Sequence, residues 1–264
     1  MRYEKITNGH RWLLASKPFV GSFSMTEELE NGYNQFNNPI LVTLQNLYLL
    51  IFKDRDSQTA LGRGRVDGAG YIASGNTNDK GYMFGSTQDL QMKFLGIEDF
   101  WGNKLQWVDG LMTDSNHNLM LGAKNFNDTG AGYEKQDTTV STNLGGYFTK
   151  VQGGKGGYTM GDSNGSETTH YADYGTLHSG RLARFGGSRS DGGHAGAFAI
   201  PVAYSASSSN AILSARLCYK NADAVYIGAY LGFEQSSKLR SISGNMPSDT
   251  KTISQFRTLA KANN

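Results

Sequence analysis

The 264-residue chain has one cysteine, Cys218, and four prolines. A single thiol excludes a framework of intrachain disulfides, and so few prolines exclude a proline-rich linker. Charge of one sign is lacking as well: 18% of the residues are charged and the formal net charge is +2. Lys and Arg are scattered rather than clustered, so the phosphate-tracking surface of a nucleic-acid-binding protein is not expected. Long hydrophobic runs are missing too. The most apolar stretch, residues 40–52, is interrupted by Thr43, Gln45 and Asn46, and falls short of the roughly 18 residues that span a bilayer. The opening MRYEKITNGHRW has no apolar core and does not read as a secretory signal.

Glycine and aromatics are abundant, with 34 Gly, 14 Tyr and 13 Phe. The glycines follow no strict period, which excludes a collagen repeat. A disordered chain is poorer in aromatics. Gly with Tyr, Ser, Asn and Thr describes a loop-rich, strand-rich fold. The signatures of common chemistry are missing. The five histidines, His10, His117, His170, His178 and His194, show no zinc-ligand spacing. His170 and His178 flank Asp173, where a turn histidine is the plainer reading than a metal ligand. No Gly-x-Ser-x-Gly elbow occurs, and the glycine-rich stretch 61–85 is not followed by the Lys-Ser or Lys-Thr of a phosphate loop.

Asn38-Pro39 predicts a helix start, with Asn as cap and Pro at the first helical position. Ile40, Leu41, Leu44, Leu47, Tyr48 and Ile51 follow at helical spacing. Short strands are expected at 12–14, 19–23, 120–123 and 147–151, and a loop over 153–169. Two alternating runs, 213–219 and 225–233, predict an antiparallel hairpin turning at 220–223, in a sheet against which the helix stripe packs. In the first run the odd positions, Leu213, Ala215, Leu217 and Tyr219, are expected to share one face, and Cys218 reads as a buried, inert thiol. Ile253, Phe256 and Leu259 suggest a short terminal helix. The division expected is a lead-in over 1–35, one domain over 36–240, and a polar tail over 241–264 packed on that domain.

Several motifs in order carry a resemblance: IEDFWGN and WVDG within 94–110, then RFGGS, AGAF, YSAS and ARL between 184 and 217. Gly102, Asn103, Leu105, Gln106 and Trp107 resemble the G-N-x-W-E-W signature of the formylglycine-generating, sulfatase-modifying family. In order and spacing the set is similar to tail-associated proteins of phages and prophages of Gram-positive bacteria, over residues 36–220. The resemblance implies an α+β, C-type-lectin-like domain, loop-rich with small antiparallel sheets. It implies a virion protein on the phage tail or surface whose loop, of the type diversified by retroelements, binds a bacterial cell-surface receptor, a carbohydrate or a protein. It also implies contact with other virion proteins and a homo-oligomer such as a trimer. No membrane insertion and no nucleic-acid partner are expected.

The family's oxidative enzyme needs two cysteines after GGS. Here Asp191 and Gly196 occupy those positions, so no enzymatic activity, catalytic residue or cofactor is expected. The family asparagine associated with calcium matches Asn103, with Asp99 and Asp109 nearby, but Gln106 replaces the acid and weakens that site. Trp101 and Trp107 read as core. Loop 188–210 reads as the binding segment through Arg189, Asp191, His194, Pro201, Tyr204 and Ser208. Phe198, Ile200 and Val202 are expected inward, with Ala199, Pro201 and Ala203 outward. Pro201, lacking an N–H, argues against a central strand. A structural virion protein, binding other virion proteins through the same loop, is the alternative. A degenerate enzyme would be marked by a pocket of perturbed ionisable groups.

Overall fold

Asn37 fixes the start of the longest helix. Its side-chain Oδ1 accepts the Ile40 amide at 3.2 Å, one residue earlier than the sequence suggested. Pro39 sits in the first turn of α1 (Asn38–Phe52), which ends where Lys53 adopts a left-handed conformation. Leu41, Leu44 and Tyr48 are buried on one stripe. Ile51, expected on that stripe, is 47% exposed, and Leu50 is 73% exposed. Phe52 closes the last turn instead, its ring stacked on Tyr48 at 4.8 Å.

The structure, a computed structural model, describes residues 2–6, 11–15, 33–137, 140–152, 156–169, 172–208, 210–220, 225–231 and 239–241. Strands β1 (Arg2–Ile6) and β2 (Arg11–Ala15) pair antiparallel with each other. β3 (Tyr33–Gln35) precedes α1, and α2 is the single turn Ser57–Ala60. β4 (Lys93–Phe94) and β5 (Ile97–Glu98) form a short ladder. Then come β6 (Leu105–Thr113), β7 (Leu119–Leu121), β8 (Glu134–Lys135), β9 (Leu144–Phe148), β10 (Lys150–Val151) and β11 (Met160–Asp162). β12 (Ala172–Leu177), β13 (Leu182–Phe185), β14 (Pro201–Tyr204), β15 (Leu213–Lys220), β16 (Val225–Leu231) and β17 (Leu239–Ser241) complete the order.

Small sheets were expected, yet eleven of these strands join one mixed sheet, whose main path is β17-β16-β15-β6-β13-β14-β12-β9. β15 and β16 pair antiparallel as anticipated. β6–β15 and β12–β14 are parallel. β3 pairs with β15, so the main sheet already includes residues of the segment read as lead-in. The expected loop 153–169 contains β11, paired with β10. The expected strand 19–23, turn residues 221–223, terminal helix 253–259 and tail beyond 241 lie outside the described residues.

The sheet buries both faces. Val108, Ala183, Phe185, Val202 and Cys218 share one apolar cluster with Leu41, Leu44 and Tyr48 of α1. Leu105, Trp107, Met112, Leu182, Leu213 and Ala215 form the cluster on the other face, as the two-residue period of a strand requires. Each Leu, Val, Phe or Met among them contributes about 1.5–3 kcal/mol relative to exposure. The even positions of β15 are therefore inside as well: Ser214, Arg216 and Cys218 are buried, the last as expected of an inert thiol. In β6 the alternation is reset at Gly110, whose φ of +77° and approach to Gly122 leave no room for a Cβ. Val108 and Leu111 consequently face the same cluster. α1 lies against β6, in the same sheet as β15 and β16, as expected of a helix packed on the sheet that holds both runs. Tyr48 extends the contact edge-on to Trp101 and Phe198, and Gln45 donates to the Ala197 carbonyl at 2.8 Å.

Candidate functional site

Beyond β13 the chain turns through Gly186 and Gly187, with φ of +93° and +81°. A Cβ on Gly187 would meet Ala195 at 2.5 Å, so glycine is needed for the two arms of the loop to touch. Asp191 closes the next turn: its Oδ2 accepts the Ser188 amide at 2.7 Å and its own amide reaches the Ser188 carbonyl. A 3-10 turn, Gly192–His194, follows. Gly196 then passes Asp173 so closely that a Cβ would lie 2.1 Å from Oδ2. The position matching a family cysteine has no space for any side chain.

A second loop, 63–72, lies alongside. The Gly68 amide donates to the Arg189 carbonyl at 2.7 Å and the Gly192 amide to Val66 at 3.0 Å. Arg189 Nη1 returns to the Gly68 carbonyl at 2.8 Å. From α2, Gln58 Nε2 donates to the Gly192 and Ala195 carbonyls, both at 2.8 Å. Its Oε1 accepts from Arg63, which also pairs with Asp67 at 2.8 Å. The two loops therefore form one ridge fixed by backbone and side-chain bonds.

His194, at the end of the 3-10 turn, is exposed. Its ring stacks on Tyr174 of β12, centroids 4.1 Å apart at 23°, and meets Tyr147 of β9 edge-on at 5.4 Å. The Tyr147 hydroxyl donates to Glu167 Oε1 at 3.1 Å. Next to this platform opens a cleft of about 330 Å³ lined by Gln58, Arg63, Thr87, Glu167, Asp173 and Gly193 among others. Asp173 accepts the Phe198 amide at 2.8 Å. Burial, foremost, pushes its carboxyl well above the ordinary carboxylate range, and Asp56 adds to the shift. Asp173 thus walls the cleft with a carboxyl whose charged form burial disfavours, among polar side chains.

The six residues expected in one patch are divided. His194 belongs to the platform, and Arg189 and Asp191 to the ridge. Arg189 is half-buried over Tyr71, 4.7 Å from the ring centroid, and Lys104 approaches the same ring at 4.4 Å. Tyr204 is half-buried against Arg184, 3.5 Å from its ring. Ser208 closes a serine turn onto Ser205. Pro201 contradicts its reading: β14 lies between β12 and β13. A proline fits there because it is the first residue of the strand. Ala199, expected outward, is 2% exposed, because 195–200 fills the space beneath α1. Tyr147, Tyr174, Arg63 and Glu167 were missed. They come from separate elements, and no local spacing joins them.

Asp99, Asn103 and Asp109 do not converge. Asp99 Oδ2 accepts from Asn103 at 2.9 Å and from Gln91 at 2.7 Å, whereas Asp109 accepts from Gln35 of β3 at 3.1 Å. Among the described residues no group of three His, Cys, Asp or Glu side chains is placed to hold a metal ion. Trp101 and Trp107 are fully buried, as expected of core aromatics. No helix among the described residues is long and apolar enough to cross a membrane.

No family model matches the chain, and no curated protein matches it. What stands is a sheet-rich α+β architecture with few helices and a two-loop ridge beside an aromatic platform.

Proposed function

We propose that the chain is a host-recognition domain of a phage or prophage tail, with a C-type-lectin-like fold, and that it binds a bacterial surface carbohydrate on the face around His194. The observation that carries the ligand class is the exposed His194 ring stacked on Tyr174 at the rim of a polar cleft. Sugars present C–H faces that pack on aromatic rings and hydroxyls that bond to polar side chains. Apolar rings with a few convergent polar groups are the composition of a small-molecule site. The motif order from IEDFWGN to ARL supports the phage assignment. A homo-oligomer, a trimer for instance, suits this role, since several weak sites on one particle gain by multivalency. No catalytic step is part of the proposal.

The experiment is adsorption of the chain to a panel of Gram-positive cell envelopes before and after periodate oxidation of their sugars. Adsorption abolished by periodate is the expected result. Adsorption to none of the envelopes, or adsorption unchanged by periodate, argues against a carbohydrate receptor. The second reading, a structural virion protein, is favoured by the adjacent exposed Leu50 and Ile51 on α1. It predicts that Leu50→Glu with Ile51→Glu blocks assembly with virion proteins while no envelope is bound.

A further inference from the structure

The cleft beside the ring pair is lined by more carboxyls than cations. Asp56, Glu167 and Asp173 border it with a single guanidinium, that of Arg63. Arg63 is engaged elsewhere: its Nε and Nη2 pair with Asp67 at 2.8 and 3.1 Å, and its Nη1 donates to Gln58. Among the described residues none of the three lining carboxyls forms an ion pair. Asp173 is 3% exposed. Burial disfavours its charged form, and a positive group set against it would restore that form.

Glu167 is the carboxylate open to solvent. It is exposed, and its Oε1 accepts from the Tyr147 hydroxyl at 3.1 Å. Its Oε2 has no hydrogen-bond donor among the described residues. Gly193 leaves room for this pair, since a Cβ there would lie 2.9 Å from Oε1 and 3.1 Å from the Tyr147 hydroxyl. The hydroxyl fixes the carboxylate at the edge of the aromatic cluster. Tyr147 meets Tyr174 and His194 edge-on, with centroids 5.6 and 5.4 Å apart. One half-satisfied carboxylate, one buried carboxyl and three rings thus surround a single opening.

An ammonium group suits this arrangement on three counts. It donates charge-assisted hydrogen bonds to Glu167. It supplies the positive charge that Asp173 lacks. It is attracted by the faces of aromatic rings. An anionic ligand would instead meet like charge, which is costly where water is excluded. We propose that the cleft selects an amino sugar carrying a free ammonium, with the ammonium on Glu167 and the C–H face of the sugar on the His194–Tyr174 pair. The inference rests on the carbohydrate reading of this site and names the class of sugar.

The test is calorimetric titration of the full chain with a glucosamine oligosaccharide and with the same oligosaccharide N-acetylated. It is run beside adsorption to Gram-positive envelopes before and after N-acetylation. The free-amine form should bind about tenfold tighter or more, the gain from one charge-assisted bond, and N-acetylation should abolish adsorption. Glu167→Gln should weaken binding by a similar factor and erase the preference for the free amine. Gly193→Ala displaces the same carboxylate without removing its charge, and should weaken binding too. Asp128 is an exposed acid that does not line the cleft, and Asp128→Asn should leave the affinity within about twofold. Equal binding of the two oligosaccharides, binding of neither, or equal losses in Glu167→Gln and Asp128→Asn overturns the proposal. Adsorption abolished by periodate but unchanged by N-acetylation sinks this inference alone. Glucosamine binding without adsorption to any envelope sinks the host-recognition reading alone. Adsorption lost on N-acetylation but resistant to periodate puts the ammonium on a group other than a sugar and sinks both.

Discussion

Gln106 accepts a hydrogen bond from Arg216, Nε to Oε1 at 2.9 Å, and donates through its own amide to the carbonyls of Asp99 and Phe100 at 3.0 and 3.2 Å. One amide thus joins β6 and β15 to the 97–101 segment. An acid at this position, as in the family signature, would set a carboxylate oxygen against two carbonyls. Replacing Arg216 by Ala strands several buried acceptors and should cost roughly 3–5 kcal/mol. Gln106→Glu keeps the arginine contact but loses both donated bonds, and should cost roughly 1–3 kcal/mol. Urea denaturation measures both. A Gln106→Glu midpoint equal to the parent's contradicts this account of the pair.

Acidity should stabilise this fold over part of its range. Asp99 is pushed up to about 7, first by burial and then by Glu98, against the pull of Gln91, Asn103 and Arg216. Burial raises Asp109 and Asp173 in the same direction. Such a carboxyl binds its proton more tightly folded than unfolded. Between the ordinary value of 3.8 and about 7, the folded form therefore holds more protons. The contribution of Asp99 to stability is full at the acid end, falls as pH rises through that window, and levels off above it. The slope approaches about 1.4 kcal/mol per pH unit for each such group. Urea midpoints should be higher near pH 5.5 than near pH 7.5, and Asp109→Asn should flatten the difference. A midpoint that climbs over this interval means that the buried carboxyls are not protonated.

The exposed end of α1 gives an internal comparison. Leu44 is 1% exposed and Leu50 73% exposed on the same helix. Leu44→Ala should destabilise by roughly 2–5 kcal/mol, and Leu50→Ala by no more than about 0.5 kcal/mol. Equal losses in thermal or urea unfolding would mean that Leu50 is covered in solution.

The elements that could be read from sequence were those whose signals are local. Asn38-Pro39 with a helical stripe marked α1 to within one residue, and alternation with a short connection marked β15 and β16. The misreadings have physical causes. Leu105 sits beside Leu213 in a parallel pair, an adjacency that no local period reports. Gly110 breaks the alternation of β6, and a sheet packed on both faces hides Arg216 among apolar neighbours. The missing N–H of Pro201 argued against a central strand, yet that deficiency matters little at the first residue of a strand. The site was only half legible. His194 lay in a segment already read as binding, but its partners Tyr147 and Tyr174 come from β9 and β12, and Arg63 and Glu167 from loops.

The central claim is that the ring pair at the cleft binds carbohydrate, and its most direct test is the double variant Tyr174→Ala, His194→Ala. His194 is exposed and Tyr174 half-buried, so the melting temperature should stay within a few degrees of the parent's. Binding to periodate-sensitive envelope material, measured by calorimetry or by adsorption isotherm, should fall about tenfold or more, the loss expected for two stacked rings. A folded double variant that binds the same material as tightly as the parent would contradict the account.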